Sequence, residues 1–322
     1  MKKFMKGCAI TALILGVLGM CLSAVAGTFR GRTAIEDTLE AITGGRMHLH
    51  LSSIGDWGLT AGEEFYDQIT GDGYYDLEDS MVFNEFYDVL EGDVERYSLG
   101  DSVRDLDVEV GGYAFYIEES HNSDFYLEAQ NVKKLQSYVK DGTLHIVAAR
   151  NGRLWEEGKK GDIILYVPED FHFQKAELEI GAGLMDLGTL SADKVSLEVG
   201  AGQIVVDQIK SQKLDLNAGM GEILIDDMQV QELDAEAGMG HIYVAGAVGT
   251  KANVECSMGS VEMDLAGRED DYNYDIECGM GSIEIGSDSY TGLAHEKYID
   301  NNAGALIDLE CSMGNIVISF DW

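Results

Sequence analysis

Proline is almost missing: the chain holds one in 322 residues. Disordered linkers usually carry proline together with glycine. Here 39 glycines stand almost without it, which points to many close bends inside hydrogen-bonded structure. Basic residues are scarce as well. Lys and Arg number 22 against 58 Asp and Glu, for a formal net charge of −36. A chain so acidic repels phosphate backbones, which excludes nucleic acid as a partner. It suits cations, cationic peptides or plain solubility. Catalytic signatures are also lacking: there is no GxSxG elbow, phosphate loop or paired-cysteine zinc pattern. His121, His145, His172, His241 and His295 fall at unrelated places along the chain, and His48 and His50 alternate without further ligands. No catalytic residue, cofactor or metal ligand is assigned, and the chain reads as a non-enzyme.

What is present begins with an apolar run. Lys2, Lys3 and Lys6 precede an uncharged stretch from Gly7 to Gly27, and a length of ~20 residues matches a membrane-spanning helix. The leading positive charges hold the N-terminus in the cytoplasm and send the remainder across the membrane. Ala24-Val25-Ala26 also fits a secretory cleavage site, and cutting there releases the protein. The expected division is residues 1–27 as membrane anchor or signal segment, 28–100 as acidic spacer, and 101–322 as the main domain. The spacer is expected to be partly disordered or weakly helical, with Ser80–Leu90 as an amphipathic helix.

The main domain carries a repeat. Glycine pairs flanked by apolar residues recur, and the second glycine falls at Gly183, Gly202, Gly221, Gly240 and Gly259, then at Gly281 and Gly314. The first steps are all of one length, 19 residues; the later gaps read as insertions into one turn of a stack. Within each copy the residues alternate, as in Val254, Cys256, Met258, Val261, Met263 and Leu265 against Asn253, Glu255, Ser257, Ser260, Glu262 and Asp264. Alternation of period two across a glycine describes two half-buried strands joined at a bend. No copy buries its apolar face alone, whereas stacking at about 4.8 Å closes a continuous core. The expected fold is all-β: a β-solenoid of ~19-residue coils, regular over 176–322, with Phe320 and Trp322 covering the last layer. An upstream relative of the repeat runs from Leu106 to Ile117, followed by strand-like Phe125–Ala129, Thr143–Ala148 and Asp162–Val167.

Stacking turns equivalent positions into columns. One column reads Cys256, Cys278 and Cys311; two residues on, another reads Met220, Met239, Met258, Met280 and Met313. Thiolate with thioether would suit Cu(I), but the volume trade between the columns fits core filling, and both are read as structural core. The cysteines are expected to be free and buried. The residue before the Cys column forms a candidate surface ladder: Glu179, Glu198, Glu236, Glu255, Glu277 and Glu310. Calcium is admitted there but not predicted, because Ile204, Ile223, Ile242, Val261, Ile283 and Ile316 stand where calcium-binding nonapeptide solenoids place Asp.

These glycine coils, the Asp162–Pro168 strand and the N-terminal anchor resemble the bacterial putative-adhesin family of unknown function, over about residues 101–322. The resemblance implies a right-handed parallel β-helix at the cell surface and, in some relatives, a link to envelope-stress responses; it supplies no catalytic residues. The expectation is therefore a cell-envelope protein for adhesion, binding or scaffolding, its solenoid on the extracytoplasmic side of a bacterial membrane. Its partners are the membrane through residues 7–27 and an envelope protein, glycan or cationic peptide. The alternatives are a stress sensor that captures cationic peptides and a carbohydrate-active solenoid enzyme. The 287–305 stretch, which breaks the period, is expected to contribute contacts through Tyr290, His295, Tyr298 and Asn301.

Overall fold

The computed structural model describes residues 87–89, 94–95, 103–120, 125–149, 161–291 and 294–320. The apolar run at 7–27 and most of the 28–100 spacer lie outside the described residues. Among the described residues no helix is long and apolar enough to cross a membrane.

The chain enters with two short strands, β1 (Tyr87–Val89) and β2 (Val94–Glu95). A first level follows, β3 (Asp105–Gly111) and β4 (Tyr113–Ser120), then β5 (Tyr126–Gln130) and β6 (Val132–Lys140). Further levels are β7 (Thr143–Ala149) with β8 (Asp162–Pro168), and β9 (Phe173–Ile180) with β10 (Gly183–Asp186). The regular repeat is drawn as long bent strands: β11 (Thr189–Val199), β12 (Gln203–Ala218), β13 (Glu222–Ala237) and β14 (His241–Cys256). After β15 (Ser260–Leu265) come β16 (Tyr272–Cys278) and β17 (Ser282–Ile285), β18 (Asp288–Thr291) and β19 (His295–Ile299), and finally β20 (Ala305–Cys311) and β21 (Asn315–Ser319). All belong to one continuous, mostly parallel, 21-stranded sheet.

The register explains the period. Ile204 pairs with Ile223, Ile223 with Ile242 and Ile242 with Val261, each 19 residues on, so like residues stack over like. Along β12 the burial alternates, then slips near Asp207 and again between Lys210 and Lys213, where the coil bends. The inward set, including Ile204, Val206, Ile209, Leu214, Leu216 and Ala218, is buried in a single core. At the main bend the chains of adjacent levels nearly touch. A Cβ on Gly221 would stand 2.5 Å from the Gly202 carbonyl oxygen and 2.5 Å from Cγ2 of Val199. From Gly202 onward the repeated second glycine is thus demanded by close approach between levels, since its φ is not positive; Gly183 alone of the set, at φ 133°, needs glycine for its backbone as well.

The levels do not stack in chain order at either end. At the C-terminal end β14 and β15 pair with β20 and β21, and these in turn pair with β16 and β17. The last coil is therefore wedged between the two that precede it, and the spatial order of bend glycines is 259, 314, 281. The longer gaps do hold inserted residues, the helical turn Glu269–Asp271 and the strands β18 and β19, but the coils around them do not follow in chain order. The N-terminal end does the same: β3 lies between β7 and β9, and β4 between β8 and β10.

Each outermost level is covered by antiparallel strands. β5 and β6 cover β8 and β7, and β1 and β2 extend that cover. β18 and β19 cover β17 and β16. Two expectations fail here. Tyr87–Val89 is a strand where the sequence suggested helix, because the open edge of β6 offers it backbone partners. Phe320 does not close the last layer either; it packs toward Tyr272, ring centroids 6.0 Å apart, because β21 is an interior strand, and Trp322 lies outside the described residues.

Candidate functional site: an acidic strand face and a methionine corner

Pairing through the first strand of each level places Glu109, Glu179, Glu198, Asn217, Glu236, Glu255, Glu310, Glu277 and Glu296 in one column, in that spatial order. All the predicted ladder residues fall in it, with Glu310 and Glu277 exchanged by the wedged coil. Glu109 and Glu296 complete it. Glu109 was open to detection, since Glu109-Val110-Gly111-Gly112 repeats the Glu-apolar-Gly pattern. Glu296 joins from an antiparallel strand, which no period announces.

The next outward column reads Asp107, Glu177, Ser196, Asp215, Asp234, Asn253, Asp308 and Asp275. A lysine column borders it on the side away from the Glu ladder. Lys175 pairs with Glu177 at 2.7 Å, Lys194 with Asp215 at 3.0 Å, and Lys213 with Asp215 and Asp234 at 2.8 Å each. Those two contacts push the Lys213 ammonium up in pKa. Burial works against ionisation of Asp234, yet hydrogen bonds from Lys213 and Asn253 hold it below the usual carboxylate range. The charges of Lys194 and Lys213 are thus spent on the aspartate column.

The Glu column shows the opposite effect. Burial, then the charges of Glu198, Glu109 and Asp107, pushes Glu179 up to about 7. Burial and Asp107 raise Glu109, and burial with Glu310 and Glu296 raises Glu277. Like carboxylates at strand spacing repel, and partial desolvation strengthens that repulsion.

Inside the bend, Cys256, Cys311 and Cys278 stack in that order, buried and free. Hydrogen bonding to Cys256 and burial push the Cys311 thiol up, and burial does the same to Cys278. The methionine column behaves otherwise. Met220, Met239 and Met280 are 53%, 51% and 57% exposed, and Met258 and Met313 are half-buried. The placement of these methionines in the core is corrected: each precedes the second glycine at the apex of the corner, after Gly219, Gly238 or Gly279 in three levels and after Ser257 or Ser312 in two, where the chain turns and the rule that residues two apart share a face lapses. Backbone hydrogen bonds from Met220 to Gly200, Met239 to Gly219, Met258 to Gly238, Met313 to Ser257 and Met280 to Ser312 lock the corner level to level. The result is an external methionine ridge.

Beside the ridge, the first position of the second strand stacks Gln203, Glu222, His241, Ser260, Asn315 and Ser282. Glu222 accepts a hydrogen bond from Gln203 at 2.8 Å and lies 3.0 Å from Nδ1 of His241. That contact holds Glu222 below its ordinary pKa. His241 looked unrelated to the repeat in the sequence; its signal was its place directly after the second glycine.

The 287–305 stretch is built into the fold. Tyr290 is buried, and Asn301 donates to the Tyr272 carbonyl at 2.7 Å and, through its backbone N–H, to the Asn273 side chain at 2.9 Å. Tyr298 is exposed, and the His295 ring lies 5.7 Å from that of Tyr290. Among the described residues no group of three or more His, Cys, Asp or Glu side chains is placed to hold a metal ion.

The profile of the family described as Toastrack DUF4097 matches residues 103–318. The chain belongs to that family. Its Toastrack domain therefore spans every level of the stack, from β3 to β21, while β1 and β2 lie upstream of it. Three solved structures are similar. A putative adhesin from Bacteroides fragilis NCTC 9343 is 14% identical, with a TM-score of 0.40 over 71% of this chain and 99% of that one. A putative lipid binding protein from Parabacteroides distasonis ATCC 8503 is 18% identical, with a TM-score of 0.39 over 71% and 98%. A putative cell adhesion protein from Clostridium sporogenes ATCC 15579 is 12% identical, with a TM-score of 0.30 over 71% and 98%. No curated protein matches the chain.

Proposed function

We propose that this Toastrack protein is a non-enzymatic binding or scaffolding module of the cell envelope, and that its recognition surface is the strand face carrying the glutamate ladder. The observation that carries this reading is the ladder itself. Carboxylates from Glu109 to Glu296 run along one face with a single interruption at Asn217, while the neighbouring lysines are committed to the aspartates. A sheet locked level to level presents such a row without ordering cost at the moment of binding, which favours an extended cationic surface over a small ligand. On this reading the coil is right-handed, the segment at residues 7–27 holds the protein at a bacterial membrane, and the domain stands on the extracytoplasmic side.

The test is binding of the full-length protein to envelope fragments and to polylysine-coated beads. In Glu198→Gln/Glu236→Gln/Glu255→Gln, and in the wild type at 0.5 M NaCl, retention should fall at least tenfold. Retention unchanged in the triple variant would remove this face as the recognition surface.

A further inference from the structure

We infer that the methionine corner is a soft-metal site, built for Cu(I) from the Met239 thioether, the His241 imidazole and the thioethers of Met220 and Met258 on the adjoining rungs. This inference is independent of the adhesion reading. Three observations meet at one place. First, the thioethers are outside. Met220 and Met239 are half exposed although the buried interior of the same levels is filled by aliphatic residues, so packing does not account for them. On the two levels before Met220 the same corner carries Ala182 and then Ala201. Adjacent rungs lie about 4.8 Å apart, which brings two thioether sulfurs within reach of one ion.

Second, the imidazole is prepared as a ligand. Ionised Glu222 only accepts hydrogen bonds, so at 3.0 Å it fixes the His241 proton on Nδ1. The lone pair then resides on Nε2, which has no hydrogen-bond partner and is covered, so an ion reaches it by displacing the side chains that lie over it. Glu262 Oε1 is 3.7 Å from Nε2, beyond hydrogen-bond length. A carboxylate behind Nδ1 with Nε2 left to bond is the arrangement that orients metal-ligating histidines. Gln203 steadies Glu222 in turn, at 2.8 Å.

Third, the parts share a cavity. A groove of about 500 Å³ runs along the corner, lined by Met220, Met239, Met258, Glu222, His241 and Ser260, with glycines as its floor. Thioether and imidazole together select a soft monovalent ion over Mg²⁺ or Ca²⁺, which demand oxygen. The buried cysteines are closed off in the core and do not enter the groove.

The experiment uses the full-length protein labelled with ¹³C-methyl methionine, under anaerobic conditions. Cu(I) is supplied from a chromophoric chelator, and Ag(I) serves as a redox-inert probe. One equivalent should be withdrawn from the chelator, and the Met220, Met239 and Met258 methyl signals should shift while that of Met280 stays. Met239→Leu, volume-conserving at an exposed position, and His241→Gln should each weaken retention at least tenfold; Met280→Leu should leave it unchanged. Three results would overturn the assignment: no metal taken up, methionine methyl signals unmoved during uptake, or Met239→Leu and His241→Gln retaining Cu(I) as tightly as the wild type, which would move the ion to the thiols.

Discussion

Glu179 faces outward yet is partly covered, with Glu109 and Glu198 on the levels either side. Its carboxyl is raised from 4.5 to about 7, so the folded chain holds the proton more tightly than the unfolded chain does. The contribution to stability is therefore complete below pH 4.5 and is lost as pH climbs through about 7. Glu179→Gln should match the wild type near pH 4 and exceed it at pH 8 by about 1 kcal/mol after solvent screening. Urea midpoints at the two pH values decide this, and equal differences at both would contradict it. The ladder was readable as letters because alternation on a strand is strict. The methionines were not, although they lie only two residues past the buried column. Period-two reasoning holds along straight backbone, and the Gly-Met-Gly corner is where the backbone turns. His241 and Glu222 escaped for another reason: their bond joins rungs 19 residues apart, and the sequence shows a column there of mixed chemistry.

β20 and β21 are the elements that chain order misplaces. Their alternation and glycine spacing match those of β16 and β17, so either pair satisfies the slot above β14 and β15. The sequence offers only the longer gaps, of 22 and 33 residues, as a hint that something departs from simple succession. What selects the observed order is the pair β18 and β19, which turns back over β16 and β17 and occupies their outer edge. A chain ending at Asn302, without β20 and β21, should lose amide protection throughout Tyr272–Cys278 and Ser282–Ile285, since both strands lose their parallel partner. In an ordinary repeat stack, removal of the final coil leaves its predecessors protected. Hydrogen exchange on the truncated protein distinguishes the two, and retained protection in β16 would contradict the wedged arrangement.

For the molecule as a whole, the net charge of −36 sets a standing cost. Lysines neutralise the middle of the aspartate column, but the surplus stays folded against its own repulsion. Raising NaCl from 0.15 to 1 M shortens the screening length from ~8 to ~3 Å. The thermal midpoint should therefore rise by several degrees, and a midpoint that falls or stays level would show that the ion pairs outweigh the repulsion. The all-β class, the period and the aliphatic and cysteine columns of the interior were legible because each level repeats the same solution to the same burial problem. The ends were not, because closing a stack is done once at each end and leaves no recurring mark. Strand β19, exposed with Glu296 and Lys297 on it, closes one end with charges that discourage a neighbour from adding to the sheet.

The wedged coil also dictates a timetable. A ribosome delivers residues 272–299 before 305–319, so the strands that end up outermost are made before the coil on which they rest. Consolidation of this end therefore waits on the last-made coil: β16 and β17 gain their parallel partners, and Cys278 its neighbour Cys311, only once residues 305–319 are available.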